Sequence, residues 1–399
     1  MKLFFIVGED SGDALAAPLI KALKAVQGDN VECMGIGGPL MKATEGFSEL
    51  LPMDQISIIG IWEVLPKIPR LIKIRKAIVE EIEKQQPDAV ITVDFPDFNF
   101  IIAKSLKKRG VYKGKLIHYV APSVWAWRPK RAEKIAQFLD GMMCLFPMEV
   151  PFFTEHGMKA AHVGHPVVTT NALNADPEIF RDANNIPENA KTIGLFFGSR
   201  EIEFKKLSPI IKEAAMLIDD VEDNLHIISP TLPHIEYNIR KLLQDFKLPV
   251  YVTSNPLVKW EAFKSCDVAV AVSGTVALEL AYCGVPHILV YKTNPITALI
   301  LRFMLKTKHV HLANILLEDE VVPEMLQGKC RSDVIAETTL ELLDNDDLRQ
   351  TQLDKFKALE PLLSGEGDMT PSERAADFVL TVIQSPPKQP QEKTKPDNA

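Results

Sequence analysis

The chain has 399 residues, of which 46% are hydrophobic and 25% charged, and its formal net charge is −8. This composition is typical of a globular protein with about two or three domains, and it excludes a largely disordered chain. The acidic balance argues against a general nucleic-acid binder, because phosphate backbones are held by an excess of Lys and Arg. No uncharged apolar run reaches the roughly 18 residues that a membrane-spanning helix needs.

The five cysteines are scattered, without a CxxC pair or a histidine at metal-ligand spacing. This pattern predicts reduced, buried thiols in a cytoplasmic protein. The N-terminal run LFFIV resembles the apolar part of a signal peptide, but Glu9 and Asp10 follow it closely. A run of about five residues is shorter than the usual signal segment, so it is interpreted as a first strand.

Apolar runs of strand length alternate with helical patterns through the first half of the chain. They read LFFIVG, VECMGIGG, DAVITVD, KLIHYVAP, GMMCLF and AAHVGHP, and a helix is predicted over 14–26. Strands that are apolar throughout and separated by helices indicate a parallel sheet covered on both faces. The sequence therefore predicts a doubly wound α/β domain over 1–168.

The same pattern restarts after the GHP motif and predicts a second α/β domain over 169–350. Its runs read KTIGLFFGSR, LHIISP, PVYVTS, DVAVAVSG and PHILVYK, with a helix over 201–219. Two such Rossmann-like domains would face a cleft at the carboxyl ends of their strands, where α/β sheets bind ligands. From about 331 the pattern is helical; the helices of 351–384 are expected to return to the first domain, and the polar, Pro-rich 385–399 to be disordered.

The first strand ends in GEDSGD, which places Ser11 at a glycine-flanked turn before a helix. Glycines there allow close backbone approach, and a helix start offers N–H groups to an anion or a hydroxyl. The motif is not GxGxxG, and its acidic residues would repel a pyrophosphate, which argues against a dinucleotide oxidoreductase. The alternative is that Ser11 or Asp13 caps the helix.

The segment VDFPDFNF places Asp94 at a strand end and Asp97 near the next helix start. A carboxylate at the carboxyl end of a strand can act as general base toward a hydroxyl. Alternatively, Asp97 is an N-cap and Asp94 orients the loop. The DxxD spacing makes a metal site improbable.

The segment VAPSVWAWRPKR combines two tryptophans with three cations. Indole faces beside guanidinium groups can hold a phosphate or stack on a ring. The alternative is a helix start with buried aromatic residues and a solvated basic face.

Two motifs of the second half suit a nucleotide. In FGSREIE, Arg200 stands at a predicted helix start, where an arginine fork and N–H groups suit a diphosphate; a surface pair with Glu201 or Glu203 is the alternative. In VSGTVALELAYC, Glu279 lies one turn beyond Thr275 in an otherwise apolar helix. This helix therefore places phosphate donors and a ribose-binding carboxylate within one nucleotide's length.

Two stretches, 56–82 and 296–317, mix large apolar residues with cations. This mixture is typical of a surface that binds an anionic membrane, and equally of ordinary amphipathic helices with cationic outer faces. Their cations are Lys67, Arg70, Lys73, Arg75, Arg302, Lys306 and Lys308.

Seven motifs occur in the order found in the lipid-A-disaccharide synthase family of GT-B glycosyltransferases, which the chain resembles from about residue 3 to 380. They are GEDSGD, DFPDFN, HYVAPSVWAWRPKRA, GHP, GSREIE, SGTVALE and HLANILL. The resemblance implies transfer of 2,3-diacylglucosamine from UDP to 2,3-diacylglucosamine 1-phosphate, with inversion, giving a β-1,6 disaccharide 1-phosphate of lipid A biosynthesis and UDP. It implies no metal and no cofactor, and peripheral association with the anionic inner face of the cytoplasmic membrane. The oligomeric state stays open.

The resemblance also implies roles for individual residues. Asp94 becomes the leading candidate for the base on the acceptor 6-hydroxyl, with Asp97 competing, and Asn314 is expected to contact the nucleotide or reacting sugar. Residues expected to hold UDP are Gly198, Ser199, Arg200, Ser273, Gly274, Thr275 and Glu279. Residues expected at the acceptor or its lipid are Ser11, Ser123, Trp125, Trp127, Arg128 and Arg131. One departure is Phe197, where the family commonly has proline before the glycine.

Two other classes fit parts of this pattern. Other GT-B enzymes of UDP-amino sugars, such as the transferase of the peptidoglycan lipid precursor or a UDP-sugar epimerase, share the second-half motifs but lack SVWAWRPKR. A nucleotide-sugar sensor would bind UDP and have no use for Asp94.

Overall fold

The computed structural model describes residues 1–56, 61–198, 200–294, 297–298 and 304–386, with backbone alone for 61–68. The chain divides into two compact units: the first comprises Met1–Pro166 and the segment from Ser364, and the second comprises Val167–Leu363.

The first unit contains one parallel sheet in the order β3-β2-β1-β4-β5-β6-β7. Its strands are β1 (Lys2–Val7), β2 (Glu32–Gly37), β3 (Phe47–Pro52), β4 (Ala89–Val93), β5 (Lys115–Tyr119), β6 (Gly141–Cys144) and β7 (Lys159–His162). Its helices are α1 (Asp10–Gln27), α2 (Pro39–Lys42), α3 (Ile61–Gln85), α4 (Pro96–Arg109), α5 (Val124–Trp127), α6 (Lys130–Ala136) and α7 (Val150–Thr154).

Side chains of β1 alternate between two apolar cores, one on each face of this sheet. Phe4 and Ile6 belong to one core, whereas Leu3, Phe5 and Val7 belong to the other. Burial on both faces explains why the strand is apolar at every position.

The second unit contains a parallel sheet in the order β10-β9-β8-β11-β12-β13. Its strands are β8 (Lys191–Phe196), β9 (Leu225–Pro230), β10 (Val250–Thr253), β11 (Val268–Val272), β12 (His287–Tyr291) and β13 (Glu324–Leu326). Its helices are α8 (Pro177–Ala183), α9 (Glu201–Asp219), α10 (Pro233–Leu243), α11 (Lys259–Lys264), α12 (Thr275–Cys283), α13 (Leu312–Leu317), α14 (Ser332–Asp344), α15 (Asp346–Phe356) and α16 (Leu359–Ser364). The two doubly wound sheets confirm the predicted fold class.

The last helix, α17 (Pro371–Gln384), packs against α1 in the first unit. Its buried residues Ala376 and Val379 share a core with Leu19 of α1. A capping box starts α17, since Thr370 Oγ1 accepts from the backbone N–H of Glu373 while the Glu373 carboxylate accepts from the N–H of Thr370.

Three details correct the sequence-based predictions. Helix α1 begins at Asp10 rather than at residue 14, so Ser11 lies in its first turn. Strands β3 and β13 were not predicted, because one mixes polar and apolar residues at the sheet edge and the other has three residues. Residues 351–363 belong to the second unit, where Gln352 exchanges hydrogen bonds with the backbone of His287. The predicted tail lies outside the described residues from 387 onward.

Within the described part of the chain, no helix combines the length and the apolarity needed to cross a bilayer. All five cysteines are buried, as predicted.

Candidate active site

A cavity of about 670 Å³ opens in the second unit at the carboxyl ends of four neighbouring strands, β8 to β11. Its wall is built from the segments that follow these strands and from Leu312 at the start of α13. The predicted nucleotide residues that line it are Gly198, Arg200, Ser273, Gly274, Thr275 and Glu279. Ser199 lies outside the described residues.

The N-terminus of α12 forms one side of this cavity. Gly274 is the N-cap, with φ 156° and ψ −169°, a conformation that is essentially restricted to glycine. Because this residue has no side chain, it offers no side-chain acceptor to the N–H groups of the first turn. The first-turn N–H groups and the positive end of the helix dipole favour an anion here.

The start of α9 supplies a cation to the same cavity. Gly198 has φ 80°, and Arg200 occupies the N-cap position. Arg200 Nη1 lies 3.1 Å from Glu203 Oε1, while its side chain is 79% exposed. The alternative ion pair between Arg200 and Glu203 therefore exists, but both partners line the cavity. Glu201 pairs with Lys205 instead.

Lys259 is a cavity residue that the sequence analysis missed. Its Nζ donates to both carboxylate oxygens of Glu279, each at 2.8 Å, and lies 4.4 Å from the centroid of the Trp260 ring. The two partners are 20 residues apart and on different helices, so no local sequence signal joins them.

Asn314 is not among the residues that line the cavity, so the structure does not bring it together with the predicted nucleotide residues. The residue is completely buried, its Nδ2 donates to Val322 O and Glu324 Oε1, and its Oδ1 accepts from the N–H groups of Val321 and Val322. All four hydrogen-bonding positions of the amide are occupied by protein. Asn314 therefore fixes the loop after α13, while Leu312 of the same helix reaches the cavity.

In the first unit, Asp94 follows β4 in a strained turn. Asp94 and Phe95 both have φ 48°, and Val120, directly after the neighbouring β5, has φ 78°. Left-handed backbone at such residues costs on the order of 1–3 kcal/mol each and is concentrated at functional sites. Gly8 makes room for the turn, since a Cβ at this position would lie 2.5 Å from the Phe95 ring.

The Asp94 carboxylate is held in place from two sides. The Phe95 N–H donates to Oδ1 at 2.8 Å, and Ser11 Oγ donates to Oδ2 at 3.3 Å. Asn99 Nδ2 donates to the Asp94 carbonyl at 2.7 Å, which fixes the turn behind it. The structure thus brings together two of the predicted residues, Ser11 and Asp94.

Asp97 lies in the first turn of α4 and is 93% exposed. It is not the N-cap, because Phe95 occupies that position. Its Oδ1 lies 3.3 Å from Arg131 Nη2, so a candidate base is paired with a candidate phosphate-binding cation.

Asp13 has its hydrogen-bond partners in another part of the first unit. Instead of capping its own helix, its buried carboxylate accepts from the N–H groups of Gly38, Leu40 and Met41 at the start of α2. It therefore joins α1 to α2.

The two tryptophans of SVWAWRPKR have different partners. Trp125 Nε1 donates to Glu149 Oε1 at 3.2 Å, whereas the Arg128 guanidinium carbon lies 3.9 Å from the centroid of the Trp127 ring. Both rings are half-buried, and Arg128 and Ser123 are exposed. The segment thus presents a cation on an indole face, in a short helix that is separate from α6.

Glu149 was also missed by the sequence analysis. Its buried carboxylate accepts from Trp125 and from the backbone N–H groups of Leu145 and Phe146. Burial raises the pKa of Glu149 to about 7, against the opposing effect of these hydrogen bonds.

Within the described residues, no cluster of three or more His, Cys, Asp or Glu side chains is arranged to hold a metal ion.

Two doubly wound units and a charged cavity at the strand ends of the second define a protein of the GT-B class. The fold matches that of Staphylococcus aureus MnaA bound to UDP, with a TM-score of 0.62 and 15% identity over 97% of this chain and 98% of that one. It also matches Acinetobacter baumannii MurG, with a TM-score of 0.55 and 14% identity over 95% and 99%. At these identities the likeness concerns the fold alone.

The sequence identifies the family within this class. The model of the lipid-A-disaccharide synthetase family matches residues 3–375. Lipid-A-disaccharide synthases of Rhodospirillum centenum and Paramagnetospirillum magneticum are 38% and 39% identical over 381 and 386 residues, covering 96% of this chain and 94% and 98% of theirs. This chain belongs to the lipid-A-disaccharide synthetase family, which confirms the resemblance.

Proposed function

We propose that this chain transfers 2,3-diacylglucosamine from its UDP donor to the 6-hydroxyl of 2,3-diacylglucosamine 1-phosphate, forming the β-1,6 lipid A disaccharide 1-phosphate and UDP. The main support for this proposal is the cavity of the second unit, which is lined by the N-terminus of α12, Arg200 and Glu279. Family membership selects lipid A disaccharide formation among the reactions of UDP-sugar enzymes.

The donor half of the site is assigned to the second unit. The diphosphate binds at the N-terminus of α12, and Arg200 turns from Glu203 toward it. Glu279 accepts hydrogen bonds from the ribose hydroxyls. Gly198 is assigned to the same diphosphate site, and Ser199, which lies outside the described residues, is assigned to UDP by the family motif alone.

The acceptor half is assigned to the first unit. Trp125 and Trp127 shape the region of the sugar and acyl chains, and Ser123 lies at the start of their helix. Arg128 and Arg131 are the candidates for the 1-phosphate, because an arginine fork binds phosphate in bidentate geometry. If Arg128→Ala and Arg131→Ala both leave acceptor affinity unchanged, this assignment is wrong.

The chemical step is a single displacement. The acceptor 6-oxygen attacks the anomeric carbon of the donor while the base takes its proton, and the bond from that carbon to the β-phosphate oxygen breaks. The electron pair leaves with UDP, whose negative charge the α12 N-terminus and Arg200 stabilise. The attack occurs opposite the leaving group, so the anomeric centre is inverted.

Asp94 is the proposed base, because its carboxylate is fixed by Ser11 and by the Phe95 N–H in a strained turn. Asp97, exposed and paired with Arg131, is the competing candidate.

The test is product formation by purified protein supplied with both acylated substrates in detergent, with EDTA present. Unacylated UDP-N-acetylglucosamine is the control donor. A tetra-acyl disaccharide phosphate and free UDP are expected. UDP binding without product would favour a different UDP-sugar enzyme or a nucleotide-sugar sensor.

The acylated substrates also suggest peripheral binding to the inner face of the cytoplasmic membrane. On α3, Arg70 and Lys73 are exposed beside Ile72, which is 54% exposed. Cations next to exposed apolar side chains favour an anionic lipid surface. The side chain of Lys67 and all of Arg302 lie outside the described residues, and Lys306 and Lys308 are exposed.

A further inference from the structure

The geometry points to Lys259 as the residue that positions Glu279 for the ribose of the bound nucleotide, an inference that rests on the proposed function. Both residues line the cavity of the second unit, and Lys259 belongs to none of the sequence motifs that predicted the site.

The contact between the two side chains is symmetric. Lys259 Nζ lies 2.8 Å from each oxygen of the Glu279 carboxylate, and the two side chains are 34% and 23% exposed. A single ammonium facing both oxygens fixes the plane of the carboxylate as well as its position. Because the partners come from α11 and α12, the pair also joins two helices of the cavity wall.

Lys259 is itself held in place by aromatic rings. Its Nζ lies 4.4 Å from the ring centroid of Trp260 and 5.4 Å from that of Phe263. Phe263 also lines the cavity. Two ring faces stabilise the ammonium where Glu279 meets it, so its charge has a fixed place in the wall.

This arrangement suits the recognition of two neighbouring hydroxyls close to a diphosphate. A carboxylate has about four lone-pair sites, so Glu279 can keep Lys259 and still accept from a ribose. Without the ammonium, the carboxylate would rotate more freely, and its charge would repel the diphosphate at the start of the same helix. Lys259 therefore orients Glu279 and neutralises it.

The experiment compares the affinities of UDP and 2′,3′-dideoxy-UDP by calorimetry, using the full chain. The variants are Lys259→Met, which keeps the aliphatic packing on the rings, Lys259→Arg, which keeps the charge, and Glu279→Gln. We expect the wild type to prefer UDP by about tenfold or more, since hydrogen bonds to charged groups are the stronger kind. Lys259→Met should reduce this preference to about twofold and weaken UDP binding, whereas Lys259→Arg should retain the preference.

The possible results distinguish a failure of the positioning role of Lys259 from a failure of the proposed nucleotide site. A Lys259→Met variant that keeps the wild-type preference overturns the positioning role. A wild type that does not distinguish the two nucleotides contradicts the ribose-binding role of Glu279, and with it the proposed site. In the double variant, Lys259→Met should add no further loss of preference to that of Glu279→Gln; additive losses overturn the inference. Thermal unfolding reports the integrity of each variant, and Lys259→Gln replaces the methionine variant if that one does not fold.

Discussion

His287 and His311 share a hydrogen bond between their Nε2 atoms, which lie 2.8 Å apart inside the second unit. The Nδ1 atoms determine the tautomer of each ring, because His311 Nδ1 accepts from the Ala313 N–H and His287 Nδ1 donates to Val285 O. His311 must therefore donate through Nε2 and His287 accept there. Protonation of either ring would remove an acceptor nitrogen and break one of these hydrogen bonds.

The buried pair predicts a loss of stability in acid. Burial lowers the pKa of His287 to about 4 and that of His311 well below its usual value. The unfolded chain takes up these protons near pH 6.5 and the folded chain does not, so the free energy of unfolding decreases as the pH falls from about 6.5 to about 4. For His287 alone the loss reaches about 3 kcal/mol. Urea unfolding at about pH 7 and about pH 5 measures the part of this loss that occurs above pH 5, which is about 2 kcal/mol for His287.

One variant isolates the contribution of the pair. His311→Asn keeps an oxygen for the Ala313 N–H and should flatten the pH dependence, because one of the two buried imidazoles is removed. Some dependence remains, because burial also lowers the pKa of His118 to about 3 and that of His165 to about 4. The other groups facing the pair are the Glu324 carboxylate, which accepts from the His311 N–H, and the Gln352 amide. An unaltered slope in His311→Asn would contradict the assignment.

Replacing Asp94 tests the base. Asp94→Asn should lower kcat by about 10²–10⁴-fold, the usual contribution of general base catalysis. UDP affinity should be unchanged, because the nucleotide is assigned to the other unit. Asp97→Asn serves as the matched variant three residues away. If Asp97→Asn shows the larger loss of kcat, Asp97 is the base and Asp94 orients the turn.

Ionisation of Glu149 should make the fluorescence of Trp125 depend on pH. Its carboxyl, with a pKa near 7, should change the fluorescence of the hydrogen-bonded indole with a midpoint at about pH 7. The change should be absent in Glu149→Gln and in Trp125→Phe. Since the folded pKa lies above the unfolded value of about 4.5, this group also costs stability progressively as the pH rises from about 4.5 to about 7. A fluorescence titration that persists in Glu149→Gln would show that another group causes it.

Asn314→Ala should lower the stability of the second unit, and not only the catalytic rate. The change leaves the buried N–H groups of Val321 and Val322 without their acceptor, at a cost of about 2–4 kcal/mol for the lost network. Chemical denaturation gives the free energy of unfolding, and kcat per folded molecule gives the catalytic share. Full stability together with a large loss of kcat would support the contact with nucleotide or sugar that the family resemblance implies.

Charge reversal on α3 tests the membrane proposal. Arg70→Glu with Lys73→Glu should weaken binding to anionic vesicles by at least about tenfold, because each basic residue near such a surface contributes about 1 kcal/mol. Lys107→Glu with Lys108→Glu makes the same charge change on exposed positions of α4. Equal weakening by both pairs would indicate a general charge effect and not a docking helix.

The sequence was informative where a property is local. Apolar runs such as DVAVAVSG predicted buried parallel strands, and the glycines of VSGTVALE and FGSREIE predicted helix starts at strand ends. Both features depend on a few consecutive residues. Six of the residues that the family motifs assign to UDP line one cavity.

It was uninformative where a partner is distant in the chain. Glu149 meets Trp125 across 24 residues, and Asp13 caps a helix that begins 26 positions later. Asn314, which the family resemblance assigned to the nucleotide or the reacting sugar, accepts from backbone N–H groups seven and eight residues ahead, and no local pattern predicts these contacts. Tertiary contacts decide such roles.

The packing of α17 against α1 has a consequence for biosynthesis. The first unit is encoded mostly before residue 167, but part of its core is contributed by residues after 370. At an elongation rate of roughly 5–20 residues per second, the ribosome needs on the order of 10–40 s to produce the intervening segment. The apolar face of α1 in the nascent first unit therefore stays uncovered until the residues after 370 have been synthesised, and the second unit can fold before it.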